Sequence, residues 1–121
     1  MARILIIDDS ATEVFVLSRM VRAGGHVALV SQSAEDGLQK ARLEKPDVII
    51  MDIVMPGMNG FQATRELSKD PDTASIPVLM VTTKSDETDR VWGLRQGATD
   101  YIVKPVTEEQ LVTKIKAVLN G

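Results

Sequence analysis

The stretch Val48–Phe61, VIIMDIVMPGMNGF, decides how the chain is read. An apolar run leads straight into one carboxylate, Asp52, and the chain then turns through Pro56, Gly57 and Gly60. A short continuous apolar run bounded by turn residues suits a strand buried on both faces of a parallel sheet. Such a strand ending on an acid poses a choice. Asp52 is either a structural cap or a reactive group.

Four more apolar runs resemble the first: RILII (3–7), VALV (27–30), PVLMV (77–81) and DYIVK (100–104), beside DVIIM (47–51). VALV and DYIVK are less purely apolar and are expected nearer the sheet edges. The segments between them carry helix signals. Ser10 with Glu13 has capping-box spacing, Val14, Leu17 and Val21 share a face, and Gly24-Gly25 ends the helix. Ser33 with Asp36 opens a second helix, with Leu38 and Ala41 inward and Pro46 beyond its end. Asn59 opens a third, with Phe61, Thr64 and Leu67 near one face. A fourth spans 86–96 and closes at Gly97. Thr107 caps a fifth, with Gln110 three residues on and Leu111, Ile115 and Val118 inward. The segment KDPDTASIP (69–77) reads as loop. Strand and helix alternate five times, which implies an α/β chain with a parallel sheet and helices on both faces. Right-handed crossovers then leave few topologies.

Composition narrows the function. The 121 residues fit one domain, and 44% hydrophobic residues can build one core. A net charge of −3 argues against bulk nucleic-acid binding. No apolar run is long enough for a membrane span, and the N-terminus lacks the features of a signal peptide, so a cytoplasmic chain is expected. With no Cys, thiolate chemistry and Cys-based zinc sites are excluded. The single His26 follows two glycines in a turn, which leaves little room for His-based catalysis.

Acids gather where such a sheet binds ligands, outside the carboxyl ends of its strands. Asp8 and Asp9 follow the first strand and Asp52 the third. If those strands are neighbours, three carboxylates share a crevice, and their repulsion raises at least one pKa unless a cation relieves it. An all-oxygen acidic cluster suits a hard cation such as Mg²⁺. The fourth strand runs into Thr82 and the fifth into Lys104-Pro105. Carboxylates with Mg²⁺, a hydroxyl and an ammonium suit a phosphoryl group, and one carboxylate could serve as the nucleophile. Singly, each residue has a plainer role, since an acid after a strand is often a helix cap. Ser10 and Asn59 are the better caps here, however. Five such groups also fall at four strand ends on one side.

The residues DDS after the first strand, MDIVMPGMNG around Asp52, Thr82 and the KP pair at Lys104-Pro105 closely resemble the receiver domain of two-component response regulators, the CheY-like family. The resemblance spans nearly all of residues 1–121. It implies a flavodoxin-like (βα)5 three-layer sandwich with strand order 2-1-3-4-5. It also implies that Asp52 accepts a phosphoryl group from a His on a partner histidine kinase. By the same resemblance, Mg²⁺ is held by Asp9 directly, Asp8 through water, Asp52 and the Val54 backbone carbonyl. Lys104 contacts the phosphoryl oxygens, Thr82 moves toward them and Tyr101 rotates inward behind it. The Lys104–Pro105 peptide bond is expected to be cis. Two positions depart from the common family pattern. Thr83 stands where Ala or Gly is usual, and Val54 stands where fast-cycling members are often polar. A Val cannot orient an attacking water, so slow dephosphorylation is expected, with Lys84 as a possible offset.

The fourth helix carries the only Trp. Val91, Leu94 and Ala98 share one face by their spacing, which puts Trp92 on the exposed flank near Tyr101. Two readings stay open: an anchor for an output partner on the helix 4–strand 5–helix 5 face, or a side chain folded over a neighbouring helix. The chain ends with the fifth helix, so output is expected through protein binding, or the protein is a phosphate sink. A monomer is expected, with no nucleic-acid or membrane partner. The wider text also looks like the pilus-chemosensory regulators of twitching motility, the PilH type. A receiver cut from a longer regulator, such as a transcription factor, is an alternative. A flavodoxin-like cofactor binder fits less well, because Asp8-Asp9 would repel a bare phosphate. An Asp-nucleophile phosphatase lacks its second acid at Val54. A degenerate receiver would lack part of the set.

Overall fold

The computed structural model describes residues 1–121. Strands β1 (Arg3–Ile7), β2 (Val27–Ser31), β3 (Val48–Met51), β4 (Val78–Thr82) and β5 (Asp100–Val103) alternate with helices α1 (Ala11–Ala23), α2 (Ala34–Glu44), α3 (Gly60–Lys69), α4 (Glu87–Gln96) and α5 (Glu108–Asn120). All neighbouring strands pair in parallel, in the order β2-β1-β3-β4-β5. The two less apolar runs are the edges, as their composition suggests.

The continuous apolar runs follow from burial on both sides. Successive strand residues point to opposite faces. Ile4 and Ile6 of β1 and Val48 and Ile50 of β3 enter a core with Leu17 and Val21 of α1 and Leu111 and Ile115 of α5. Leu5, Ile7, Ile49 and Met51 enter a second core with Leu38 and Ala41 of α2 and Ala63 and Leu67 of α3. A third, much smaller cluster of Ile53, Met80, Ala98 and Tyr101 lies by α4, with Leu94 packed against it. The sheet is thus the middle layer of the flavodoxin-like sandwich, with α1 and α5 on one face and α2, α3 and α4 on the other.

The helix caps form where expected. The Ser10, Ser33 and Thr107 hydroxyls accept the N–H groups of Glu13, Asp36 and Gln110. The reciprocal box at α1 does not form: the Ser10 N–H donates to Asp8 Oδ1, and the Glu13 carboxylate turns toward Lys104. The full box is at α3 instead, where Asn59 and Gln62 cap each other. Most of the 69–77 segment is turn, although Lys69 still belongs to α3. The Thr73 hydroxyl pins this turn by donating to the Leu67 carbonyl.

Around helix α4 the expected inner residues Leu94 and Ala98 do face the third cluster, but Val91 does not. Val91 is 40% exposed, and Gly93 and Gln96 face inward instead. The reason is close packing at Gly93. A Cβ there would come within 2.6 Å of the Met80 sulfur and 3.3 Å of the Tyr101 ring. The helix settles on its glycine, which turns Val91 outward.

Candidate functional site

Two central strands deliver the acids side by side. Ile7 pairs with Met51 at the ends of β1 and β3, and the Asp52 N–H donates to the Ile7 carbonyl. Asp8 and Asp52 are thus the next residues on adjacent strands. Carboxylate oxygens of Asp8, Asp9 and Asp52 all lie within 4.8 Å of one another. Asp8 and Asp52 are buried, 1% and 6% exposed, and Asp9 is open to solvent.

The loop after Asp52 is tightly folded. The Gly60 N–H donates to the Ile53 carbonyl, and a Cβ on Gly60 would overlap the Asp52 carbonyl oxygen. Gly57 takes a positive φ of 75°, a conformation that glycine adopts without steric cost. Asn59 caps α3, so Asp52 is free of that duty. Its Oδ1 accepts the Ile53 N–H at 2.8 Å.

One cation serves the cluster. Lys104 directly follows β5, and its peptide bond to Pro105 is cis, as expected. Its Nζ donates to Asp8 Oδ2 at 2.8 Å and stands 4.0 Å from Asp52 Oδ1. Its N–H donates to the Thr82 carbonyl, which ties the ends of β4 and β5. Thr82 is fully buried, and its hydroxyl accepts the Lys84 N–H at 3.3 Å.

The electrostatics follow from this geometry. Burial is the main force raising the Asp52 pKa, and the Asp8 charge adds to it. The Lys104 charge, the Ile53 N–H and the Thr82 hydroxyl pull the other way without cancelling the rise. Burial also opposes the charge on Lys104. The hydrogen bond to Asp8 and the charges of Asp52, Asp8 and Glu13 outweigh it, so its pKa rises as well. A buried carboxylate pair with one shared cation leaves negative charge uncompensated. Three converging oxygen donors without His or Cys fit a hard divalent cation.

The remaining site residues divide. Tyr101 is 8% exposed and points inward, and its hydroxyl donates to the Lys84 carbonyl at 2.7 Å. Burial and the nearby charges of Asp89, Asp52 and Asp86 push its ionisation up to about 12. Trp92 is 48% exposed, which favours the exposed flank over partial core. Val54 projects its side chain outward, 56% exposed, and Thr83 is exposed beside Thr82. His26 is structural, since its Nδ1 accepts the Ala2 N–H. Two contributors escaped the sequence reading. The Ser10 N–H donates to Asp8 Oδ1, and Glu13 reaches within 3.7 Å of Lys104 Nζ. For Glu13 the available signal was its place one turn into the helix that follows Asp8-Asp9.

Known proteins share this arrangement of chain. The response regulator receiver domain family matches residues 4–116. PilH of Pseudomonas aeruginosa is 60% identical over 121 residues, which is the full length of both chains. The structure of the chemotaxis protein CheY4 of Vibrio cholerae superposes with a TM-score of 0.91 at 30% identity, covering 98% of each chain. A CheY-like response regulator receiver domain protein of Methanospirillum hungatei gives a TM-score of 0.91 at 29% identity, covering 99% of this chain and 94% of that one. Other curated relatives, 33–39% identical, are longer proteins of which the chain spans half or less. No helix is long and apolar enough to cross a membrane.

Proposed function

Because the chain belongs to the response regulator receiver domain family, we propose that it is a phosphorylation switch whose acceptor is Asp52. The observation that carries this reading is the crevice itself. Asp52 lies among the Asp8 and Asp9 oxygens, with the Lys104 ammonium 4.0 Å away. In the reaction an Asp52 carboxylate oxygen attacks the phosphorus of a phosphohistidine on a partner kinase. The new O–P bond forms as the P–N bond breaks, and the imidazole leaves with the electron pair and takes up a proton. Lys104 then pairs with a phosphoryl oxygen, and Thr82 donates its hydroxyl to another. Asp8, Asp9, Asp52 and the Val54 carbonyl are the groups that would hold Mg²⁺. When bound, Mg²⁺ neutralises charge on the carboxylates and on the incoming phosphoryl group.

Asp52 must be ionised to attack, and its raised pKa means that burial opposes this. A cation at Asp8 and Asp9 offsets that opposition, which couples metal binding to reactivity. Dephosphorylation is slow, because the outward Val54 side chain offers an attacking water no hydrogen bond. Residues 1–121 form one receiver domain that acts in the cytoplasm as a monomer. It catalyses only its own phosphorylation and dephosphorylation, and it needs neither nucleic acid nor membrane. Output passes through the α4–β5–α5 face to a partner protein, or the chain drains phosphate from its kinase. The 60% identity with PilH supports a place in pilus-based twitching motility.

The test uses acetyl phosphate with Mg²⁺, read by intact mass, on wild type and Asp52→Asn. Wild type should gain one phosphoryl group and the variant none. Equal labelling of both, or of neither, removes Asp52 as the acceptor.

A further inference from the structure

Lys104 faces one carboxylate more than the phosphorylation reading uses. Its Nζ lies 2.8 Å from Asp8, 3.7 Å from Glu13 and 4.0 Å from Asp52. The Asp8 and Asp52 side chains are almost fully buried, whereas that of Glu13 is 38% exposed. Glu13 is therefore the outermost of the three partners of this ammonium. It is not held by a cap, because the Ser10 hydroxyl takes only its backbone N–H. Its carboxylate is left free to face the crevice.

Resting on the proposed function, we propose that Glu13 is a positioning residue that holds Lys104 toward α1 and sets the negative charge at the mouth of the site. The two consequences have opposite sign. A carboxylate at the mouth favours a divalent cation in the crevice. The same charge repels an anionic phosphoryl donor and competes with it for Lys104. Glu13 thus strengthens cation binding at the expense of reaction with free anionic donors. Loss of a packing contact would instead weaken both.

Glu13→Gln keeps the length of the side chain, its helix preference and the backbone cap, and removes only the charge. At saturating Mg²⁺ its reaction with acetyl phosphate should be faster by roughly two- to fivefold, the scale of one partly exposed charge pair. Mg²⁺ affinity, measured by calorimetry without any donor, should fall by roughly twofold or more. Both differences should shrink as salt is raised, since a half-exposed charge is screened. Rates and affinities equal to wild type would overturn the proposal, as would changes of the same sign or changes indifferent to salt. A reactive wild type with an unmoved Glu13→Gln sinks this inference alone. A wild type that takes up no phosphoryl group at Asp52 sinks the proposed function and this inference with it.

Discussion

Helices α4 and α5 lie on either side of β5 in the chain, yet they are held by different means. Helix α5 sinks Leu111 and Ile115, both 0% exposed, into a core of 12 buried residues. Its first turn is capped by Thr107, and Lys114 pairs with Asp100 of β5 at 2.7 Å. Helix α4 buries only Gly93 and Gln96, and Asp86 makes no side-chain cap. It rests by a cluster of four buried residues that includes Tyr101. The difference teaches where a switch can act. Stability is not uniform across a fold, and the element with few buried apolar contacts opens first. Tyr101 packs under Gly93 and bonds to the Lys84 carbonyl, two residues past Thr82. The shallow helix is therefore the one joined to the rim of the site.

The contrast can be broken most directly by truncation. Ile115→Ala should cost about 2–5 kcal/mol, the range for a fully buried aliphatic side chain. Leu94→Ala, at a half-buried position of α4, should cost about 1 kcal/mol from the smaller area removed from water. Urea unfolding of both variants measures this. Equal losses would mean that α4 is as firmly seated as α5.

Much of this was legible in the sequence, for physical reasons. β1, β3 and β4 read as buried because sheets covered on both faces need apolar residues at every position. Ser10, Ser33, Asn59 and Thr107 were legible because orphan N–H groups at helix starts need a short polar side chain. The acids were legible because they follow strands directly. The strand order came from the family resemblance, since alternation alone permits other windings. What stayed hidden depends on close approach. Spacing along α4 placed Val91 inward, but a glycine can approach the sheet closer than any side chain, and Gly93 won. Spacing also offered Glu13 to Ser10, but the Ser10 N–H goes to Asp8 across the turn, which leaves the Glu13 carboxylate to face Lys104.

A smaller effect separates the two helices by pH. Burial opposes the charge of Asp100, but Lys114, the Tyr101 N–H and the Arg90 charge outweigh it, so its pKa falls below 3.8. A depressed carboxylate stabilises the fold above its unfolded value, and that stability is lost as pH falls through the folded value. Lys114→Met should therefore destabilise by less than about 1 kcal/mol at neutral pH, as a half-exposed pair would. The loss should disappear in acid below the folded pKa of Asp100. Thermal unfolding of both proteins between neutral pH and strong acid would show it. A deficit that persists unchanged in acid would assign Lys114 to packing rather than charge.

The smallest effect on stability falls on the largest exposed side chain. Trp92 is 48% exposed beside Val91, on the outer side of the shallow helix. Trp92→Ala should therefore change unfolding free energy by no more than about 0.5 kcal/mol. Because Trp92 projects from α4, it should move with that helix. As the only Trp in the chain, its fluorescence reports that helix alone. Beryllofluoride with Mg²⁺ should shift the emission of wild type and leave Asp52→Asn unchanged. A loss well above 1 kcal/mol in Trp92→Ala would make Trp92 part of the seat of α4. An emission that ignores beryllofluoride would leave α4 as fixed as α5, and the site's signal would have to leave by another face.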